Sequence, residues 1–174
     1  YTHPGKKMLF MGGEFGQWGE WSHEGSLEWH LLEYTSHQSM HRWVKDLNSF
    51  YRREPTLYEV DFEPEGFEWA DFKDYEKSII SFMRKGRSTK DILLVVCNFT
   101  PVPQYNYRVK APSSGFFKEV LNSDAREYGG SGHGNLGGVE ASPVPFQGSY
   151  YSLSLTLPPL GIIVLKREGD LNNR

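Results

Sequence analysis

With one cysteine in 174 residues, the chain has no partner for an internal disulfide. That thiol, Cys97, lies in the apolar run Ile92–Cys97. There it reads as a small hydrophobic side chain of a buried strand, which suits a reducing, cytoplasmic setting. Positive charge is also in short supply. Nineteen Lys and Arg stand against 22 Asp and Glu, a net charge of −3, which argues against nucleic acid or an anionic membrane as the main partner. No run is long and apolar enough to span a bilayer. A secretory leader is also lacking, so Asn98-Phe99-Thr100 is not read as a glycosylation acceptor. The chain opens Tyr1-Thr2-His3-Pro4 without an initiator methionine. It leads at once into a short apolar run with no earlier strand to pair with, so the expectation is a piece of a larger protein.

Aromatic residues, in contrast, are plentiful at 15%. They concentrate in Leu9–Trp21, LFMGGEFGQWGEW. Leu9, Phe10 and Met11 predict a buried strand that stops at Gly12-Gly13, where the backbone turns tightly. The following loop carries Glu14, Glu20, Trp18 and Trp21. Flat rings beside carboxylates suit a sugar, whose apolar face stacks while its hydroxyls are held. A loop at the carboxyl end of a strand is also where barrel enzymes place their chemistry. The same residues suit a small aromatic core that pins the loop.

Further along, Thr35-Ser36-His37-Gln38 reads as a capping box with Thr35 as N-cap. Met40, Trp43, Val44, Leu47, Phe50 and Tyr51 then recur at helical spacing, and Glu54-Pro55 closes the helix. From about residue 66 the rhythm becomes short strands: Phe67-Glu68-Trp69, Ser78–Met83, Ile92–Phe99, Tyr105–Val109, Phe116–Leu121, Leu153–Leu157 and Ile162–Leu165. This period-two patterning predicts an antiparallel sandwich. Ile92–Cys97 and Ile162–Leu165 should lie centrally, with Leu153, Leu155 and Leu157 facing inward. Arg126–Gln147 reads as a long loop, mobile or locally packed.

Two motif-like features carry no chemistry. Gly132–Gly137 spells G-x-G-x-x-G, but no helix pattern and no Lys-Ser/Thr follows it. His37 and His41 sit four apart as a zinc pair would, but Gln38 stands where H-E-x-x-H has glutamate and no third ligand is evident. No metal and no cofactor are expected.

The segments KKMLFMGGEFGQWGEW, SLEWHLL (26–32), LLVVCNFTPVP (93–103), YRVKAP (107–112), EVLNSDAREYGGS (119–131) and SLSLTLPPLGIIVLKR (152–167) resemble, in order and spacing, bacterial 1,4-α-glucan branching enzymes of the α-amylase family. The resemblance implies a mainly β fold: an antiparallel β-sandwich C-terminal domain preceded by the last strand and helix of a (β/α)8 barrel. Residues 1–65 would be the barrel's end, with Leu9–Met11 as its eighth strand, and 66–174 the all-β domain, folding on its own. The whole enzyme would cleave an α-1,4 glucan and transfer the piece to a 6-hydroxyl, branching glycogen. Its partners would be the glucan and the upstream catalytic barrel.

The resemblance places the nucleophile, acid/base and third carboxylate on earlier barrel strands. No Arg-x-Asp or His-Asp occurs here, so no catalytic residue is assigned and the isolated chain should be inactive. Glu14, Trp18, Glu20 and Trp21 remain as candidates for glucan contact or for bracing the floor of the active site. The β domain is expected to serve as scaffold more than as sugar binder. Residues 1–30, deprived of barrel neighbours, are expected to be rearranged, poorly ordered or paired with another copy, and deleting 1–60 should leave a soluble β domain. The alternatives are a stand-alone carbohydrate-binding or scaffold module, or part of another α-amylase-family enzyme such as a trehalose-forming hydrolase.

Overall fold

A strand that is apolar at every position has to be covered on both faces, and two strands of this chain meet that demand side by side. The computed structural model describes residues 1–88 and 91–168. After a helix α1 (Thr35–Arg53), eight strands follow: β1 (Phe67–Asp74), β2 (Ile79–Lys85), β3 (Ile92–Asn98), β4 (Gln104–Ala111), β5 (Phe116–Asn122), β6 (Gly138–Glu140), β7 (Tyr151–Leu157) and β8 (Gly161–Arg167). Six form one sheet in the order β1-β2-β3-β8-β5-β6, while β4 and β7 form a second. Neighbours within each sheet run antiparallel. At the centre β3 and β8 pair with Val95 opposite Val164.

The two faces of these central strands build two cores. Leu94 and Val96 of β3 and Ile163 and Leu165 of β8 face the small sheet, where Leu153, Leu155 and Leu157 of β7 meet them as expected, each 1% exposed or less. Leu93, Val95, Cys97 and Val164 point the other way, onto Trp43, Leu47, Phe50 and Tyr51 of α1 and onto Leu57. Each large side chain so buried is worth ~1.5–3 kcal/mol. The helical face is therefore not left without cover. The main sheet supplies it, and only Met40 remains 40% exposed.

Two expectations fail. Residues 9–11 form no strand: Leu9 and Phe10 are about half exposed, at 47% and 53%, and the chain turns with the Gly13 N–H bonded to the Phe10 carbonyl at 2.9 Å. A strand exists only by pairing, and among the described residues no strand pairs with this segment. Gly12 does make the tight turn, at φ +85°. The capping box fails as well. Tyr34, extended at φ −97° and ψ 137°, is the N-cap and provides no side-chain cap, while Thr35 is already helical. Gln38 donates instead to the Leu32 carbonyl at 2.8 Å. The 3-10 turn Trp29–Glu33 runs almost directly into α1, with Tyr34 between them.

Residues 1–28 contain neither helix nor strand, but they are anchored. Arg84 of β2 is fully buried. Its guanidinium donates to the carbonyls of Thr2 at 2.8 Å, Gly66 at 3.2 Å and Leu57 at 3.3 Å, and to Asp61 at 2.6 Å. Asp61 also takes Lys7 at 3.4 Å. One side chain thus gathers the chain before and after α1 onto the sheet.

The long loop is locally packed. Asp124 accepts the N–H groups of Ser131 and His133 at 2.8 and 2.9 Å. Tyr128 meets Trp43 edge-on, centroids 4.8 Å apart, and donates its hydroxyl to Asp46 at 2.8 Å, clamping the loop to α1.

Candidate functional site

The loop between the Gly12 turn and α1 takes its shape from two polar side chains that serve backbone groups. Gln17 accepts the N–H of Glu28 at 3.0 Å. Glu28 in return accepts the N–H groups of Trp18 and Gly19 at 3.1 and 3.0 Å. Phe15 and Leu31 turn inward. Phe15 is fully buried, its ring 5.1 Å from that of Trp29, and its carbonyl lies 2.8 Å from Nδ1 of the buried His37. That contact gives His37 a structural role. His41, its supposed metal-binding companion, is exposed.

The four sequence candidates do not converge on a point. Trp18, 74% exposed, stacks on Tyr34 at 6.2 Å and meets His37 edge-on at 5.1 Å. Trp21, 54% exposed, meets Phe10 edge-on at 5.6 Å. Glu20 is exposed. Glu14 lines a separate groove of about 590 Å³ against α1, with Leu9, Met11, His41 and Arg52. Phe15 is thus the pin of the loop, while Trp18 and Trp21 are outward platforms. Glu28, Gln17 and Tyr34 were not singled out by sequence reasoning, and Phe10 was read as a strand residue and not as part of a site. Glu28 and Gln17 each lie in a segment quoted for the resemblance, but nothing in the sequence links the two segments, whose contacts span about ten positions.

What this surface can do is stack an apolar ring face and hold hydroxyls. Hydrolysis or transfer at a retaining site needs two facing carboxyls, one of them kept protonated by a raised pKa. The displaced carboxylates here all move the other way. Burial pushes Asp61 up, but hydrogen bonds from Arg84 and the Gly5 N–H, with the charges of Lys7 and Arg84, outweigh it and hold the carboxyl below its ordinary value. Glu68 is held down by its hydrogen bond from Lys85, against burial, with help from Lys110. For Asp124, burial is outweighed by the hydroxyl and N–H of Ser131 and the N–H of His133.

A Ser–His–Asp grouping in the long loop has the wrong connectivity for a nucleophile. The Ser131 hydroxyl sits between the other two, 2.7 Å from Asp124 and 2.7 Å from His133 Nδ1. A triad needs the imidazole in the middle, using both ring nitrogens. Among the described residues no group of three or more His, Cys, Asp or Glu is placed to hold a metal ion. None of the described helices is long and apolar enough to cross a membrane.

Comparison with known proteins adds the context that this geometry lacks. Residues 69–168 match the family described as the alpha amylase, C-terminal all-beta domain. Over 169 residues the chain is 65% identical to the 1,4-alpha-glucan branching enzyme GlgB of Aquifex aeolicus, covering 97% of this chain and 27% of that protein. It is 55% identical to the protein of the same name from Aromatoleum aromaticum, over 98% of this chain and 27% of the relative. For that of Thermosynechococcus vestitus the identity is 53%, over 98% and 22%. The chain therefore spans about a quarter of the length of the curated relatives it matches.

Proposed function

The chain belongs to the family of alpha-amylase C-terminal all-beta domains, and on that premise we propose that it is the C-terminal part of a 1,4-α-glucan branching enzyme. The observation that carries the proposal is the 65% identity, over almost the whole chain, to a protein of that name. In this reading the whole protein cleaves an α-1,4 glucan and joins the piece to a 6-hydroxyl, building α-1,6 branches in cytoplasmic glycogen. The catalytic carboxylates lie on an upstream barrel, which is the chain's principal partner. Residues 1–65 are the end of that barrel, and 66–174 the all-β domain that braces it. The clamp of Arg84 on Thr2, Leu57 and Asp61 supports a bracing role.

Trp18 and Trp21 are the candidate glucan platforms, with Glu14 and Glu20 as candidate hydroxyl acceptors at the rim of the upstream site. The exposure of both indoles supports this, as does the binding of the loop's backbone by Glu28, which presents them outward. The same exposed rings would let isolated copies of the chain associate.

The test is to offer amylose to the purified chain, alone and joined to its upstream region. The chain alone should leave the iodine stain unchanged and form no α-1,6 linkage, and the joined protein should form branches. Branching by the chain alone, or none by the joined protein, overturns the reading.

A further inference from the structure

We propose that a cleft at one end of the β-sandwich, where Lys85 of one sheet and Lys110 of the other hold Glu68 between them, is a binding site for a small carboxylate with an apolar body. The proposal stands apart from the branching-enzyme reading, because it rests on the β domain alone. The cleft encloses about 330 Å³, at the lower end of the range that small-molecule sites use.

Strand periodicity puts charge where the core would otherwise continue. Side chains two positions apart on a strand share a face, and so do residues directly opposite each other on paired strands. In β2, Met83 belongs to the core between the sheets, so Lys85 points to that same side. In β1, Glu68 sits opposite Met83. Lys110 of β4 reaches across from the small sheet. The Glu68 carboxylate gives one oxygen to Lys85 and the other to Lys110, the latter at 3.2 Å. Apolar surface lines the same cleft. Met83 and Ala111 are buried in the core, Ile92 packs against it, and Pro112 follows. The loop 147–149 forms a wall, held by the Ser149 hydroxyl on the Ala111 carbonyl at 2.5 Å.

Glu68 shows what the two lysines are placed to hold. The hydrogen bond from Lys85, with that from Lys110, keeps its carboxyl below the ordinary range against the pull of burial. The Glu68 side chain is 43% exposed, so it can swing into water at little cost and yield its place to another carboxylate. Each ammonium carries three N–H donors and spends one on Glu68. With two cations to one anion, the described lining keeps one positive charge in excess. An incoming carboxylate would take the ammonium groups while its apolar part covers Ile92 and Pro112. A neutral ligand would gain nothing from the lysines, and a phosphate would leave the apolar wall uncovered.

The test is an amide NMR titration of the isotope-labelled 174-residue chain with benzoate, and with benzamide, acetate and phosphate for comparison. Benzoate should move the signals of Ile92, Ala111 and Gly148 saturably, and bind more tightly than the other three. Glu68→Gln keeps the shape and removes the competing charge. It should tighten benzoate roughly 2- to 5-fold, the scale of one solvent-exposed ion pair. Lys110→Gln should weaken benzoate by at least that factor. Lys85→Gln, at the other ammonium, should repeat the loss and guards against a folding defect in Lys110→Gln, with circular dichroism confirming the fold of each. A clasp that only ties the sheets together predicts no binding in any of these chains. Absence of saturable movement, benzamide or phosphate binding as tightly as benzoate, or folded variants that leave the affinity unaltered overturns the proposal.

Discussion

Replacing Arg84 by methionine should be among the most damaging single changes to this chain. The side chain is fully buried, and its three donor nitrogens serve three carbonyls and one carboxylate, from Thr2 and from the stretch 57–66. Methionine fills much of the volume but donates nothing. Removing one partner of a buried ion pair costs ~3–5 kcal/mol, because the other charge is left without compensation. Asp61 keeps Lys7 at 3.4 Å and the Gly5 N–H, which argues for the lower half of that range. The three stranded carbonyls push the cost up again, so ~4 kcal/mol is the working figure. Lysine should not rescue, since a single ammonium cannot fork across partners on several sides.

Urea unfolding followed by circular dichroism reads the loss. Limited trypsin digestion should show cleavage at Lys6 and Lys7 in the variant under conditions where wild type resists. The same pair sets an acid limit. The Asp61 carboxyl has a folded pKa below the ordinary 3.8, so its contribution is fully present above that value and is lost as pH falls through the lower, folded one. A variant within about 1 kcal/mol of wild type, the behaviour of an exposed pair, would refute the reasoning.

Leu155→Asp puts a charge at a fully buried position between the sheets and should cost more than ~4 kcal/mol, read as failure to show a cooperative melt. Cys97 is buried, and burial pushes its thiol up to about 11. It should therefore ignore a thiol reagent at pH 8 in the native chain and react once urea unfolds it. Deleting residues 1–60 strips Leu57 and the α1 face from Phe82, Leu93, Val95 and Val164 and takes two carbonyl partners from Arg84. The truncated domain should aggregate in sedimentation runs, and a soluble, cooperatively folding product would count against the packing described.

The strands were legible because their apolar residues fall at period two between clusters of Pro, Gly and Ser. The all-apolar runs of β3 and β8 announced central positions correctly. Their second cover was not visible, because a helix's apolar face does not say which surface it will meet. The sequence pointed α1 toward absent barrel strands, and the fold turns it onto the sheet. Strand β6 escaped notice because Gly138-Val139-Glu140 is three residues in a glycine-rich run and owes its form to pairing with Phe116–Lys118. The Arg84 hub was hidden for another reason: most of its acceptors are backbone carbonyls, which no residue type marks. At the candidate site the identities of Trp18 and Trp21 were legible, but their separation was not. It depends on Glu28 and Gln17 gripping backbone about ten positions away.

The strand order has a consequence for how the protein is made. Strand β8 sits between β3 and β5, so the middle of the sheet is synthesised after both its neighbours. Until residue 167 has cleared the ribosome, β3 offers an unpaired apolar edge and the two cores stay open. Pairing Val95 with Val164 also closes a long stretch of chain before any contact rewards it. The nascent domain should therefore need sheltering until its last strand arrives, and then close around that strand.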